Sequence, residues 1–270
     1  AQNREDVLLH RVFKGKKTGF YIDVGAYLPV EGSVTKSFYD LGWNGINIEP
    51  HPRVFSKLKK ERLNDINLNI ALANEEDTLT LYSRSEVGDG ETSAVYGKEF
   101  SSFKVPAISL ATLCDKYVKE EIDFLKVDVE GYEYNVIISG NWEKYRPKVI
   151  LCEVTHPWTN KPREDTEKLN CFLSNHGYQF TYFDGLNNYY IAKEHRNLAP
   201  LLSFQVNILD CYLPRSEHKK NMEIDASREI LREKEIKKPM PPFYRRIINR
   251  NIIEKLYYKI KWKCVNGSIK

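Results

Sequence analysis

The sequence predicts an α/β sandwich around a mostly parallel, seven-stranded sheet with an antiparallel edge strand. Three observations lead there. Strand-like and helix-like stretches alternate from about Gly19 to about Lys193, the pattern of repeated strand–helix–strand units. The strand-like stretches are short and nearly continuous apolar runs, such as Lys148-Val-Ile-Leu-Cys152, as expected where helices cover both faces of a sheet. The last two stretches, Tyr178 to Phe183 and Asn188 to Ala192, are joined by the tight turn Asp184-Gly-Leu-Asn187. Strands joined so closely must run antiparallel.

Gly19-Phe-Tyr-Ile-Asp-Val-Gly25 is an apolar run ending in an acid and a glycine, and it reads as a buried strand entering a loop. Thr35 to Leu41 follows as a helix stopped by Gly42, and Gly45 to Glu49 is the second strand. Pro52 sits where a helix to about Arg62 can start, since its fixed φ suits the first turn. Ile66 to Leu72 reads as one third strand, and Leu79-Thr-Leu-Tyr82 alternates like an edge or hairpin strand. Residues 83–104 are rich in Ser, Gly and charge and are expected to form a mobile loop over the active face. Ser109 is the expected N-cap of a helix to Tyr117. Ile122 to Asp128 is the fourth strand, Tyr132 to Ser139 a helix closed by Gly140, Lys148 to Val154 the fifth strand, and Arg163 to Asn175 a helix.

Charge divides the chain. Residues 1–204 hold 25 Lys and Arg against 29 Asp and Glu, whereas residues 205–270 hold 16 against 8. The expectation is an enzyme domain over 1–204 and a basic helical extension over 205–270. Within the extension, Ile224 to Lys237 has a charged helical pattern, and Phe243 to Lys263 sets an apolar stripe among basic residues. Nucleic-acid binding is not expected, because no reader motif accompanies the basic residues. No apolar run approaches the roughly 18 residues of a membrane-spanning helix. The polar, acidic opening Ala1 to Asp6 is unlike a signal peptide, although the absence of an initial Met leaves an upstream segment open. The five cysteines are odd in number and form no CxxC pair, which argues against structural zinc and for reduced thiols in a cytoplasmic protein.

An open parallel sheet binds its ligand beyond the carboxyl ends of its strands, near the point where strand order reverses. Acids stand at four such ends: Asp23, Glu49, Asp128 and Glu153. The first loop, Asp23-Val-Gly-Ala-Tyr27, has one glycine rather than GxGxxG. An acid beside that loop repels a pyrophosphate and suits a ligand bearing an ammonium, as the methionine end of S-adenosylmethionine does. Gly25 allows close backbone approach, and Glu49 is placed to accept from both hydroxyls of a ribose.

Four segments carry a family resemblance: Phe20-Tyr-Ile-Asp-Val-Gly-Ala26, Tyr39-Asp-Leu-Gly-Trp-Asn-Gly-Ile-Asn-Ile-Glu-Pro-His-Pro52, Asn69-Ile-Ala-Leu72 and Phe124-Leu-Lys-Val-Asp-Val-Glu-Gly-Tyr-Glu133. Together they resemble the FkbM family of methyltransferases, over about residues 1–210. Arg4 stands where that family usually has a glycine in its acidic opening segment. The hairpin segment Tyr182 to Tyr190 is similar to forms found beside glycosyltransferases in surface-polysaccharide pathways. The resemblance implies a class I methyltransferase fold, which is a Rossmann-like three-layer sandwich, with S-adenosylmethionine as donor and a hydroxyl acceptor, often on a sugar. Asp23, Gly25, Ala26, Tyr27, Glu49, Pro50, Asn69 and Asp128 are then the expected cofactor residues, and Asp128 and Glu130 would flank the transferred methyl.

A sugar hydroxyl must lose its proton to attack, so a base or a metal is needed. Asp128 and Glu153 are expected to share Mg²⁺, or else His156 or a carboxylate to act as base; the catalytic set is Asp128, Glu130, Glu153 and His156. Tyr27 and Trp158 are each candidates either to meet ligand or to pack in the protein, whereas Trp43 and Trp142 are expected in the core. The expected acceptor is a surface glycan or its precursor. The basic extension would dock on its own or a second subunit, on a partner glycosyltransferase, or on the inner membrane surface. The competing functions are a non-catalytic scaffold in a glycan-assembly complex and a nicotinamide-dependent dehydrogenase, the latter disfavoured by the missing GxGxxG.

Overall fold

The computed structural model describes residues 1–75, 77–83, 92–93, 101–156 and 159–212. The expected helices over Ile224 to Lys237 and Phe243 to Lys263, and Trp158, lie outside these residues. Ala1–Cys211 forms one compact unit.

The main sheet contains seven strands: β1 (Phe20–Val24), β2 (Asn44–Ile48), β3 (Ile66–Leu68), β8 (Phe124–Val127), β9 (Val149–Glu153), β10 (Tyr178–Phe183) and β11 (Asn187–Ala192). Their order is β10-β11-β9-β8-β1-β2-β3. β1, β2, β3, β8 and β9 run parallel, and β11 pairs antiparallel with both β9 and β10. The predicted parallel sheet with its antiparallel closing hairpin is therefore present. The order reverses at β1, which lies between β2 and β8, so their carboxyl ends frame the expected ligand crevice.

Seven helices accompany the strands among the described residues: α1 (Glu5–Val12), α2 (Lys36–Asp40), α3 (Pro52–Glu61), α4 (Leu110–Tyr117), α5 (Glu133–Ile138), α6 (Thr166–Asn175) and α7 (Ala199–Leu202). Pro52 opens α3, and the Ser109 side chain caps α4 by accepting from the Thr112 amide. The two faces of the sheet bury different clusters. Phe20, Ile22, Val24, Leu125 and Val127 join residues of α4, α5 and α6. Tyr21 and Phe124, on the opposite face, join residues of α1, α2 and α7 together with Trp43. Trp43 and Trp142 are both buried, as expected. Among the described residues, no helix is long and apolar enough to cross a membrane.

Two expectations need correction. Ile66 to Leu72 is not one strand: β3 stays in the main sheet, while β4 (Ala71–Leu72) leaves it to pair with β7 (Ser101–Ile108). The second sheet, ordered β4-β7-β5-β6, also contains β5 (Asp77–Ser83) and β6 (Thr92–Ser93). Residues 101–104, expected to be loop, therefore belong to a strand that pairs along the whole of β5. Ser101-Ser-Phe-Lys-Val-Pro-Ala is polar because half of it faces water. Its alternation is that of a sheet with one solvated face, and its Pro106 disguised it further.

Asp23, Asn47, Asn67 and Lys126 sit side by side across four strands, in register and on the face of Tyr21 and Phe124. Beneath this row lies a buried ion pair, Arg62 with Asp65 (2.9 Å). Arg62 uses its whole fork: it donates to Asp65, to the Tyr21 hydroxyl (2.7 Å), to Thr35 Oγ1 (3.0 Å) and to the Pro29 carbonyl (3.1 Å). Thr35 in turn donates to Asp23 (3.0 Å). The loop after β1 is thereby bolted to the sheet. Replacing Arg62 by Leu strands the Asp65 carboxylate in the interior. We predict a loss of about 3–5 kcal/mol in urea unfolding, the scale for breaking a buried pair. A loss below about 1 kcal/mol would show that the pair is dispensable.

Candidate active site

The carboxyl ends of β1, β2, β8 and β9 open into one cleft of about 880 Å³. This is at the upper end of the range for small-molecule sites, so a nucleoside-sized donor leaves room beside it. Gly25, Ala26, Tyr27, Glu49, Pro50, Asp128, Glu130 and Glu153 all line it. Leu79 and Leu81 of the second sheet supply apolar wall, and Gln2 and Glu5, at and before the start of α1, also line the cleft. Neither contribution was foreseen. Six acids line the cleft (Glu5, Glu31, Glu49, Asp128, Glu130 and Glu153), against one base, Lys126.

Gly25 stands at φ +78°, and a Cβ built on it would lie 1.7 Å from the Asp128 carbonyl oxygen. Only glycine lets the turn after β1 pass this close to the end of β8. Tyr27 and Glu130 also hold positive φ, at 53° and 54°, so both loops facing the cleft are tightly turned. Glu49 is fixed by accepting from the Tyr27 amide (2.9 Å) and the His51 amide (2.7 Å). Burial pushes its carboxyl up to about 7, against the pull of those two amides.

Three expected residues take other places. Asp23 is buried at 1 % exposure and does not line the cleft; the cation beside it is the ammonium of Lys126, 3.2 Å away. Lys126 also donates to the Gly25 carbonyl (2.9 Å) and lies 3.4 Å from Asp128. Burial opposes its charge, but Asp23 and Asp128 outweigh that and raise it above the ordinary lysine range. Asn69 holds the wall from behind, donating to the Glu49 and Pro50 carbonyls (2.9 and 2.8 Å). His156 is turned outward, with its side chain 42 % exposed against Glu164, and does not line the cleft.

Glu153 is the most perturbed acid of the site. Burial, then the charges of Asp128, Glu130 and Glu133, push it up to about 9 despite nearby Arg163. Among the described residues, its buried Oε2 has no hydrogen-bond partner. Arg163 pairs first with Glu133 (2.5 Å) and stands 3.8 Å from Glu153, while its Nη2 donates to the Glu153 carbonyl (2.6 Å). Glu133 also accepts from the Val129 amide (2.9 Å) and the Gly131 amide, and is the acid in the first turn of α5.

Carboxylate oxygens of Asp128, Glu133 and Glu153 lie within 4.8 Å of one another. They fit Mg²⁺ poorly. Glu133 is consumed by Arg163 and two amides, and the charges of Lys126 and Arg163 already flank the other two acids.

A model of the methyltransferase FkbM domain matches residues 23–180, well over half of the chain. No curated protein matches it. Among solved structures, a "delta-N METTL16 MTase domain" is 12% identical over 70% of this chain and 81% of that one, with a TM-score of 0.35.

The approach at Gly25 yields a direct prediction. Gly25→Ala should keep its circular dichroism spectrum yet lose measurable binding of S-adenosylhomocysteine in calorimetry, because the β1 turn must retreat from Asp128. Unchanged affinity would show that this turn does not touch the ligand.

Proposed function

The chain belongs to the FkbM methyltransferase family, and from that premise we propose that the cleft takes S-adenosylmethionine as donor and methylates a hydroxyl of a glycan-type acceptor. The observation that carries this reading is the convergence of Gly25, Glu49, Asp128 and Glu153 on one cleft at the reversal of strand order. The acid-rich lining suits a donor with a positively charged sulfur. Glu49 and Pro50, with Leu79 and Leu81 opposite, offer an acid and an apolar wall for a nucleoside. The acceptor we favour is a sugar hydroxyl of a surface glycan or its precursor, a choice supported by the polar lining at Gln2, Thr159, Asn160 and Asn187.

S-adenosylmethionine supplies a methyl group on a cationic sulfur, and transfer leaves a neutral thioether. The protein's part is to align the acceptor oxygen with that carbon, exclude water and take one proton. Glu153 is the base in this reading. Its buried Oε2 has no hydrogen-bond partner among the described residues, and burial with the neighbouring acids favours its protonated form in the protein alone. A positive charge placed beside it favours the ionised form, so donor binding releases that proton. The carboxylate then removes the acceptor's hydroxyl proton as oxygen forms its bond to carbon and the carbon–sulfur bond breaks toward sulfur. Arg163 and Glu133 hold Glu153 at the strand end without neutralising it.

Glu153→Gln should lower kcat by about 10²–10⁴-fold, the usual weight of a general base, with donor affinity retained. Calorimetry in buffers of different ionisation enthalpy should show proton release on binding S-adenosylmethionine and less on binding the neutral product, and the variant should abolish the difference. The sign for stability also follows. A carboxyl raised from about 4.5 to about 9 on folding stabilises the folded state fully below the lower value and progressively less as pH rises through the upper one. Wild type should therefore lose stability relative to Glu153→Gln between pH 5 and pH 9 in urea melts. Chelator should leave turnover unchanged. Full turnover by Glu153→Gln would remove the assigned base.

A further inference from the structure

Part of the cleft wall comes from the start of α1, the β10–β11 turn and the segment at Thr159 and Asn160. Two of its polar side chains, Asn187 and Thr159, have already spent protons within the protein, and Gln2 and Asn160 add one side-chain amide each. Asn187 directs its amide nitrogen to Asp184 (3.2 Å) and to Glu5 (3.4 Å), leaving its carbonyl oxygen for a ligand. Thr159 donates its hydroxyl proton to the His156 carbonyl (2.9 Å). Glu5 is a buried carboxylate at 5 % exposure, anchored by the Asn3 amide (2.9 Å). Glu31 and Glu130 face the same space, and the single basic lining residue among the described ones, Lys126, is committed to Asp23, Asp128 and the Gly25 carbonyl.

We infer that the acceptor group entering this cleft is an uncharged polyol whose hydroxyls donate to Glu5 and Asn187, and that groups bearing phosphate or carboxylate are excluded from it. The inference rests on the methyl-donor reading of the cleft. Its physical basis is the inventory of donors and acceptors. A wall that mainly accepts hydrogen bonds matches hydroxyls, each of which brings a proton. A phosphate or carboxylate brings lone pairs alone, so it would leave its own oxygens and those of the wall unpaired in a partly dry site. Like charges add to that penalty, and rejection by unpaired groups is an effective source of specificity. The same acids that favour a sulfonium donor thus constrain the acceptor: a glycan precursor carrying a diphosphate would have to keep it outside this cleft.

The test is NMR titration of the full chain, ¹⁵N-labelled and saturated with S-adenosylhomocysteine, with neutral tetrasaccharides of several sugars and then with a tetra-uronate of matching size. Saturation with S-adenosylhomocysteine is verified first; failure there refutes the donor reading itself. With donor product bound, the neutral probes should shift the amides of Glu5, Thr159 and Asn187, and the uronate should leave them in place. Glu5→Gln, which puts an N–H₂ donor on the wall, should weaken the neutral probe and admit the uronate. Uronate binding at these amides as tight as that of the neutral probes would overturn the inference. So would a product-saturated protein in which no neutral probe moves them.

Discussion

A sheet covered on both faces excludes water, so a polar side chain on its middle rows must find its partner inside the protein. Four adjacent strands of this sheet carry such a residue at the same level: Asn67, Asn47, Asp23 and Lys126. Lys126 is the member on which the site depends. Its ammonium lies within 3.4 Å of two carboxylates from different strands and donates to the carbonyl of the turn between them. Without that charge, Asp23 would be a buried anion supported by the Thr35 hydroxyl. With it, the ends of β1 and β8 are drawn together closely enough that the turn at Gly25 admits no side chain. Burial alone would discharge a lysine, and the two acids beside it keep it charged.

The same logic extends in two directions. Through Thr35, Asp23 is joined to Arg62, Tyr21 and Asp65, which fix the loop whose residues Glu31 to Val34 line the cleft. On the other side, Arg163 spans Glu133 and the Glu153 carbonyl, tying the end of β9 to the start of α5. The two cations are therefore structural, and both are held by acids that point away from or flank the cleft. What remains facing the cavity is an excess of carboxylates, one of them, Glu153, held near its protonated form. A donor of positive charge and an acceptor without negative charge are the complements of that surface.

Much of this was legible in the sequence. The strand ends bearing Glu49, Asp128 and Glu153, the glycine turn and the closing hairpin are local signals, set by a short apolar run and the residue after it. What escaped had other causes. Asp23 was assigned to ligand because its cation lies 103 positions away on Lys126, a lysine inside an apolar run that periodicity treats as an exception. A repeated apolar-polar-apolar centre in Ile22-Asp23-Val24, Ile46-Asn47-Ile48, Ile66-Asn67-Leu68 and Leu125-Lys126-Val127 was the signal that could have revealed the row. The second sheet was hidden by the polarity and proline of Ser101 to Ile108. His156 had the right chemistry and stood near the right strand end, but the chain turns it to solvent, a direction no spacing encodes.

The central claim is that Lys126 organises the donor site by holding Asp23, Asp128 and the Gly25 turn in place. Calorimetric binding of S-adenosylhomocysteine to Lys126→Met tests it most directly, because the ligand's neutral sulfur removes any direct benefit from deleting a positive charge. The account predicts a folded variant, verified by near-ultraviolet circular dichroism, whose affinity falls by about tenfold or more, the equivalent of about 1.4 kcal/mol. Affinity equal to or better than wild type would contradict it and would leave Lys126 as a bystander to a site that Asp128 and Gly25 build unaided.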